Sequence, residues 1–177
     1  MKKTLIALTV VMVTNAVLGQ GTVFFNNRGG IGIDSKILFS DGQVLRGVSG
    51  PEWKADLIAG PAGTPFSQLV PVPGSTTTFR TGAAAGYVNA ITVTIPNIGL
   101  GAQATVAMRA YNGNTYENSS CFGTSKAITN PTGNPASGFP FDLIGLQGFT
   151  VVCIPEPPIH ALAVVAALSI CVAKRRA

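Results

Sequence analysis

Histidine and cysteine are scarce in this sequence, and charged residues are sparse. The 177 residues include one histidine, three cysteines and 11% charged residues. The single histidine, His160, lies in a C-terminal apolar run, so the body of the chain has no imidazole for a Ser-His or Cys-His pair or for zinc. We therefore predict a noncatalytic protein with no catalytic residue, no metal and no cofactor.

Positive charge exceeds negative charge only because of the two ends of the chain. The formal net charge is +5. Lys2 and Lys3 open the chain, and Lys174, Arg175 and Arg176 close it. Between these ends, seven basic residues balance seven acidic residues. The body is neutral and lacks the basic patch that binds phosphates, which argues against a nucleic-acid partner.

The N-terminal segment has the pattern of a secretory signal peptide. Two lysines precede an apolar run over Leu5–Val13, and small or polar residues follow it up to Gly19. We predict a signal peptide over residues 1–19, handled by the Sec translocon and cleaved after Gly19. The alternative is a permanent anchor helix, which the shortness of the run disfavours.

The C-terminal segment has the pattern of a marginal membrane span. Prolines stop the preceding chain, then Ile159–Ala173 is apolar except for His160 and Ser169. Fifteen helical residues reach about 22 Å, against a hydrocarbon core of about 30 Å. A buried C-terminal helix is the alternative, disfavoured because the run is apolar on every face. Both basic ends favour the cytoplasmic side, which leaves the region between them exported.

The end of the chain resembles a known sorting signal. The residues concerned are the motif Pro155, Glu156 and Pro157, the span Ile159–Ala173 and the basic stop Lys174, Arg175 and Arg176. In this order they resemble the PEP-CTERM signal of Gram-negative bacteria that make extracellular polysaccharide. The resemblance covers the last 23 residues. It implies recognition by an exosortase, cleavage near the motif, and release or attachment at the cell surface from an inner-membrane precursor.

The remaining region, residues 20–154, has the pattern of short strands. Apolar residues alternate with polar or small ones around Trp53–Ala59, Ile91–Ile95 and Ala104–Ala110. Ser40-Asp41-Gly42-Gln43 and Tyr111-Asn112-Gly113-Asn114 predict hairpin turns, because Asp-Gly and Asn-Gly tolerate positive φ. We predict one all-β domain, an antiparallel β-sandwich or jelly roll. Gly99–Ala104 matches Gly-x-Gly-x-x-Ala but precedes a strand, so it predicts a tight turn and not a dinucleotide site.

Two cysteines and two tyrosines are the candidate special residues of this domain. Cys121 and Cys153 are able to pair in an oxidising compartment, unless Cys153 lies outside the folded domain. Tyr111 and Tyr116 flank the Asn-Gly turn and are candidate platforms for a sugar ring. Trp53 in an alternating strand is more typical of a core residue.

Three classes of function fit these features. The favoured one is a structural or adhesive protein of the cell surface or extracellular matrix. The second is a secreted carbohydrate-binding module that contacts extracellular polysaccharide. The third is an enzyme acting on polysaccharide, or a calcium site, built from carboxylates that are more typical of solvated turns. Those carboxylates are Asp34, Asp41, Glu52, Asp56, Glu117 and Asp142.

Overall fold

The computed structural model describes residues 19–30, 32–40, 44–134 and 140–154. In this part of the chain regular structure is almost entirely β-strand, with two single 3-10 turns at Phe66–Gln68 and Gly82–Ala84. None of its helical segments is long and apolar enough to cross a bilayer. The strands are β1 Gln20–Phe25, β2 Arg28–Gly29, β3 Ile33–Asp34, β4 Leu38–Ser40, β5 Leu45–Gly47, β6 Trp53–Pro61, β7 Val70–Pro71, β8 Thr77–Thr78, β9 Ile91–Gly99, β10 Gln103–Asn112, β11 Cys121–Thr124, β12 Ile128–Pro131, β13 Phe141–Asp142 and β14 Thr150–Cys153.

The larger sheet is built around β6 and β10. These strands are antiparallel along their length, with Trp53–Pro61 opposite Ala104–Asn112. The strand order is β5-β4-β14-β11-β10-β6-β7, where β12 also pairs with β10 and β8 also pairs with β6. Side chains of a strand alternate between the two faces of its sheet. The odd-numbered residues Ala55 to Ala59 and the even-numbered residues Ala104 to Ala110 accordingly face one apolar core.

A smaller sheet supplies the other side of this core. Its order is β13-β1-β9, and Val23 of β1 lies opposite Val93 of β9. Residues of both sheets belong to one buried cluster, so the fold is all-β and sandwich-like, as the sequence pattern predicts. The largest fully buried side chains are Phe25, Ile37, Leu57, Ile95, Met108 and Leu143.

The Gly-x-Gly-x-x-Ala segment is the tight turn that the sequence predicts. Strand β9 ends at Gly99, and the Ala102 amide donates to the Gly99 carbonyl at 3.1 Å. Gly101 has φ of 72°, a conformation that favours glycine. Because β9 pairs with β1 and β10 pairs with β6, this turn carries the chain from one sheet to the other.

Strand directions and loop lengths differ in part from the prediction. Two pairings are parallel, β1 with β13 and β4 with β14, so the fold is not purely antiparallel. The predicted two-residue turn at Asn112-Gly113 is instead a loop over 113–120 between antiparallel β10 and β11. The Asn112 side-chain oxygen accepts from the Cys121 amide at 2.8 Å and closes this wider loop. Strands β4 and β5 are antiparallel, as the Asp-Gly signal predicts, although residues 41–43 of their turn lie outside the described ranges.

Both faces of β10 are buried. Alternation predicts one core face and one outward face, yet the connecting segment over residues 62–76, which contains β7, covers much of the outward face. Ile58, Leu69 and Ala107 form a second, small apolar cluster there. The Ser75 hydroxyl accepts from the Leu57 amide at 3.0 Å and ties the loop to the sheet. The outward side chains of β10 are therefore interior residues.

Candidate functional site

The predicted special residues fall into two groups. One group lies outside the described residues: the predicted signal peptide before Gly19, the motif Pro155–Pro157, the span Ile159–Ala173, the basic stop Lys174–Arg176 and Cys171. Cys121, Cys153, Tyr111 and Tyr116 are described, and they lie close together. Strand β11 joins them, because it pairs with β10 through Tyr111 and Phe122 and with β14 through Cys121 and Cys153.

A disulfide joins β11 to β14. Cys121 and Cys153 are direct partners in the antiparallel register and are disulfide-bonded. Both pack on the core, and Cys121 is buried. One residue later, the Ile154 amide donates to the Ser120 carbonyl at 2.8 Å. The domain therefore holds the chain firmly up to Ile154, directly before the Pro155 motif.

Arg109 forms a buried ion pair on the outward face of the sheet. Arg109 and Asp56 are cross-strand partners on β10 and β6. Arg109 Nε donates to Asp56 Oδ1 at 2.8 Å, and Arg109 Nη2 donates to Asp56 Oδ2 at 2.6 Å. This is the bidentate geometry that guanidinium and carboxylate groups favour. Hydrogen bonding to Asp56 raises the pKa of Arg109. Asp56 is thus a buried structural residue and not the solvated residue that its type suggests.

The loop over 113–120 adds an acid to this pair. Arg109 Nη1 lies 3.2 Å from Glu117 Oε1, and the Glu117 side chain is mostly exposed. The pKa of the Glu117 carboxyl is lowered, first by its own backbone amide and further by Arg109. Because an exposed carboxylate keeps much of its hydration, this contact stabilises the fold much less than the Asp56 pair does.

The two candidate sugar platforms belong to an aromatic cluster around Arg109. Tyr111 is only 2% exposed, so its ring offers almost no surface to a sugar. Tyr116 is half-buried: the Arg109 Cζ lies 4.4 Å from its ring centroid, and Tyr111 and Phe122 contact it edge-on. Its hydroxyl lies 2.8 Å from Thr124 Oγ1. These contacts make the cluster a support for the loop and leave Tyr116 little surface for stacking.

A second polar cluster fixes the start of the domain. Asn27 is fully buried, and its side chain donates to the Ser35 and Gly86 carbonyls at 2.8 and 2.9 Å and accepts from the Val88 amide at 2.9 Å. Nearby, the Tyr87 hydroxyl donates to Asp34 Oδ1 at 2.5 Å. Since each of these polar atoms has an internal hydrogen-bond partner, the cluster stabilises the fold.

An open polar cleft lies at the edge of the sheet beside β8. It has a volume of about 510 Å³ and is lined by Pro51, Thr78, Phe79, Arg80, Thr81, Ala84 and Asn89. Arg80 is exposed, and the Asn89 side-chain amide donates to Thr78 Oγ1 at 2.9 Å. A guanidinium, hydroxyls and an amide around a shallow cleft suit a hydroxylated or acidic ligand. No sequence motif marks this site, because a short strand and a turn bring its residues together.

The carboxylates do not converge. Within residues 19–154, leaving out the undescribed gaps, no three Asp, Glu, Cys or His side chains lie close enough together to hold a metal ion. Asp56 and Glu117 meet at Arg109, and Asp34 meets Tyr87. Glu52 folds toward Gly50, and Asp142 lies near Gly30. Asp41 lies outside the described ranges.

Comparisons with protein-family models, curated proteins and solved structures find no match to this chain.

Proposed function

We propose that this protein is an exported, noncatalytic component of the cell surface or extracellular matrix, processed at its C-terminal PEP-CTERM-like signal. An exosortase-type enzyme would cleave near Pro155–Pro157 after Sec-dependent export, and the inner membrane would hold the precursor until then. The mature domain, residues 20–154, would act as a structural or adhesive unit.

The disulfide is the observation that carries this proposal. Disulfides persist in oxidising compartments such as the periplasm and the cell exterior and are rare in the cytosol. The Cys121–Cys153 bond is built into the sheet register, which makes it part of the fold.

Intact mass of the extracellular form tests the processing. The full chain is expressed in a Gram-negative host that has an exosortase, and we expect a species that lacks residues 1–19 and the segment after the motif. Replacing Pro155, Glu156 and Pro157 together by alanine should leave the full C-terminal segment and keep the protein in the membrane fraction. Pro158→Ala is the matched control and should be processed normally.

Two results would contradict the proposal. One is a wild-type chain that stays in the cytosol with both ends intact. The other is an extracellular form that keeps residues 155–177 in the presence of the exosortase. Loss of matrix cohesion in a strain without the protein would support the structural or adhesive role.

Carbohydrate binding is the second candidate, and the cleft beside β8 favours it over the tyrosines. The cleft offers Arg80, Thr81 and Asn89 to a ligand, whereas Tyr111 is buried. We expect any binding to the host's polysaccharide to be lost in Arg80→Ala and Asn89→Ala and kept in Lys126→Ala, which removes an exposed charge outside the cleft. Absence of binding by the wild-type protein would exclude this function and leave the structural role.

A further inference from the structure

Exposed and half-buried apolar side chains share one face of the sheet where the chain leaves the domain. In β14 the side chains alternate, so Val151 is fully buried while Val152 is 67% exposed. Ile154 on the same face is 59% exposed, and the half-buried Phe122 lies opposite Val152 in the register. We call Leu45, Phe122, Val152 and Ile154 the exit patch.

Leu45 belongs to this patch because of the neighbouring strand register. Leu38 of β4 pairs with Thr150 of β14, which places Ser40 beside Val152, two residues further along both strands. Leu45 lies opposite Ser40 and is 60% exposed. Leucine, valine and isoleucine side chains that are exposed next to one another typically mark an interaction surface, whereas isolated ones do not.

The path of the chain indicates what this surface meets. The backbone is fixed to the sheet up to Ile154, and the apolar span begins at Ile159. Five residues reach about 18 Å at most. A domain of about 135 residues has a radius of gyration of about 14 Å, so this tether is shorter than the domain is wide. Once Ile159–Ala173 is in a bilayer, the surface around Ile154 is the described part of the domain that the tether holds nearest to that bilayer.

We propose that the exit patch rests on the outer surface of the inner membrane in the precursor. The partner is a lipid surface, which takes up leucine, valine, isoleucine and phenylalanine side chains at the boundary between headgroups and acyl chains. This contact would hold the Pro155–Pro157 motif at the membrane surface, where a membrane-embedded processing enzyme reaches it. The inference rests on the proposed function, because it requires the C-terminal segment to be inserted.

Exposure alone does not select this surface, and Val70 provides the matched control. Val70 is 62% exposed, similar to Val152, but it lies on β7 at the far edge of the same sheet. Four strand spacings separate β14 from β7, about 19 Å across the sheet. If the exit patch meets the membrane, Val70 should remain in water.

Quenching by brominated lipid tests the orientation. The full chain carries Trp53→Phe, which removes its single tryptophan, and one new tryptophan is introduced by Val152→Trp, Leu45→Trp or Val70→Trp. Each variant is reconstituted in vesicles with and without brominated acyl chains, and alkaline extraction establishes whether the chain is embedded. We expect brominated lipid to remove roughly half of the emission of V152W and L45W and almost none of the emission of V70W.

The results separate the proposed orientation of the domain from the proposed membrane-held precursor. Strong quenching at positions 152 and 45 but not at 70 supports the proposed orientation. An embedded chain with equal quenching at all three positions, or with none, overturns the orientation and leaves the proposed function standing. A chain that alkaline treatment extracts overturns both the orientation and the membrane-held precursor.

Discussion

Arg109 carries its charge at a strand position that sequence alternation predicts to face outward. The structure surrounds it with the Asp56 carboxylate, the Tyr116 ring and the Glu117 carboxylate. Taking a charge out of water costs several kcal/mol. The buried pair offsets this cost because its bidentate hydrogen bonds satisfy both the guanidinium and the carboxylate. Removing one member should therefore harm the fold far more than removing both.

Arg109→Met is expected to lower the free energy of unfolding by about 3–5 kcal/mol, because it leaves Asp56 buried without its partner. Urea denaturation of the oxidised protein measures this change. Arg80→Met is the control, since Arg80 is exposed and its replacement should cost no more than about 0.5 kcal/mol. Arg109→Met combined with Asp56→Leu should be more stable than Arg109→Met alone, and a purely additive loss would contradict the ion-pair argument.

Two tyrosines make the free energy of unfolding depend on pH in the alkaline range. The hydrogen bond to Asp34 raises the pKa of Tyr87 above 10.0, and burial raises the pKa of Tyr111. The native state thus holds these protons to higher pH than the unfolded chain does. The free energy of unfolding should not change through these groups below about pH 10 and should fall as pH rises through the native pKa values.

Urea denaturation between about pH 8 and pH 11 measures this dependence, because it spans the ordinary tyrosine pKa. Tyr87→Phe should make the alkaline decline shallower, since it removes one of the two titrating groups. An unchanged decline in Tyr87→Phe would show that the Tyr87 hydroxyl does not contribute to it.

The burial and pairing of single outward-facing residues were the hardest features to predict from the sequence. Alternation correctly predicts that Ala55 and Met108 face the core, because strand geometry fixes which side chains share a face. It does not predict that Asp56 and Tyr111 are buried, since that depends on loops that fold over the outward face. The opposite charges of Asp56 and Arg109 at outward positions were the available signal, but pairing them requires the register of β6 and β10.

At the scale of elements, β14 is the strand on which the larger sheet depends. It lies between β4 and β11, so it joins the β4–β5 hairpin to the rest of the sheet. It is only four residues long, and four residues offer few backbone hydrogen bonds. The disulfide to β11 compensates for this shortness by keeping β14 beside its partner in the unfolded chain as well.

Replacing Cys121 and Cys153 together by alanine should lower the free energy of unfolding by about 3–4 kcal/mol, the chain-entropy value for a loop of about 33 residues. Amide hydrogen exchange should also accelerate in β14 and β4 more than in β6. Cys171→Ala is the matched control, because this cysteine belongs to the predicted C-terminal span. Equal stability of the double variant and the wild type would show that the sheet holds β14 without the bond.

The long strands were predictable, whereas several of the shortest strands were not. Strands β6, β9 and β10 have nine or ten residues, long enough for alternation to mark them. Strands such as β2, β7 and β13 have two residues each, and only neighbouring strands define them. The parallel direction of β13 and β14 was equally unpredictable, because pairing direction depends on the path of long connections.

At the scale of the whole molecule, the excess positive charge lies at the two ends of the chain, each beside an apolar run. The terminal segments carry the excess positive charge and two apolar runs, whereas residues 20–154 contain the strands and the core. Within the described residues, the main core cluster runs from Val23 to Val151. If the terminal segments are delivery segments that processing removes, residues 20–154 should fold without them.

Residues 20–154 produced alone in an oxidising compartment should thus fold to the same structure as they adopt in the full chain. We expect one cooperative urea transition, with a free energy of unfolding within about 1 kcal/mol of that of the full chain in detergent, since distant segments without shared contacts contribute nearly independently. A matched variant with Met108→Ala should lose about 2–5 kcal/mol in both lengths, because it opens a cavity in the same core. An isolated domain that aggregates, or that unfolds without a cooperative transition, would show that the terminal segments complete the fold and are not delivery segments alone.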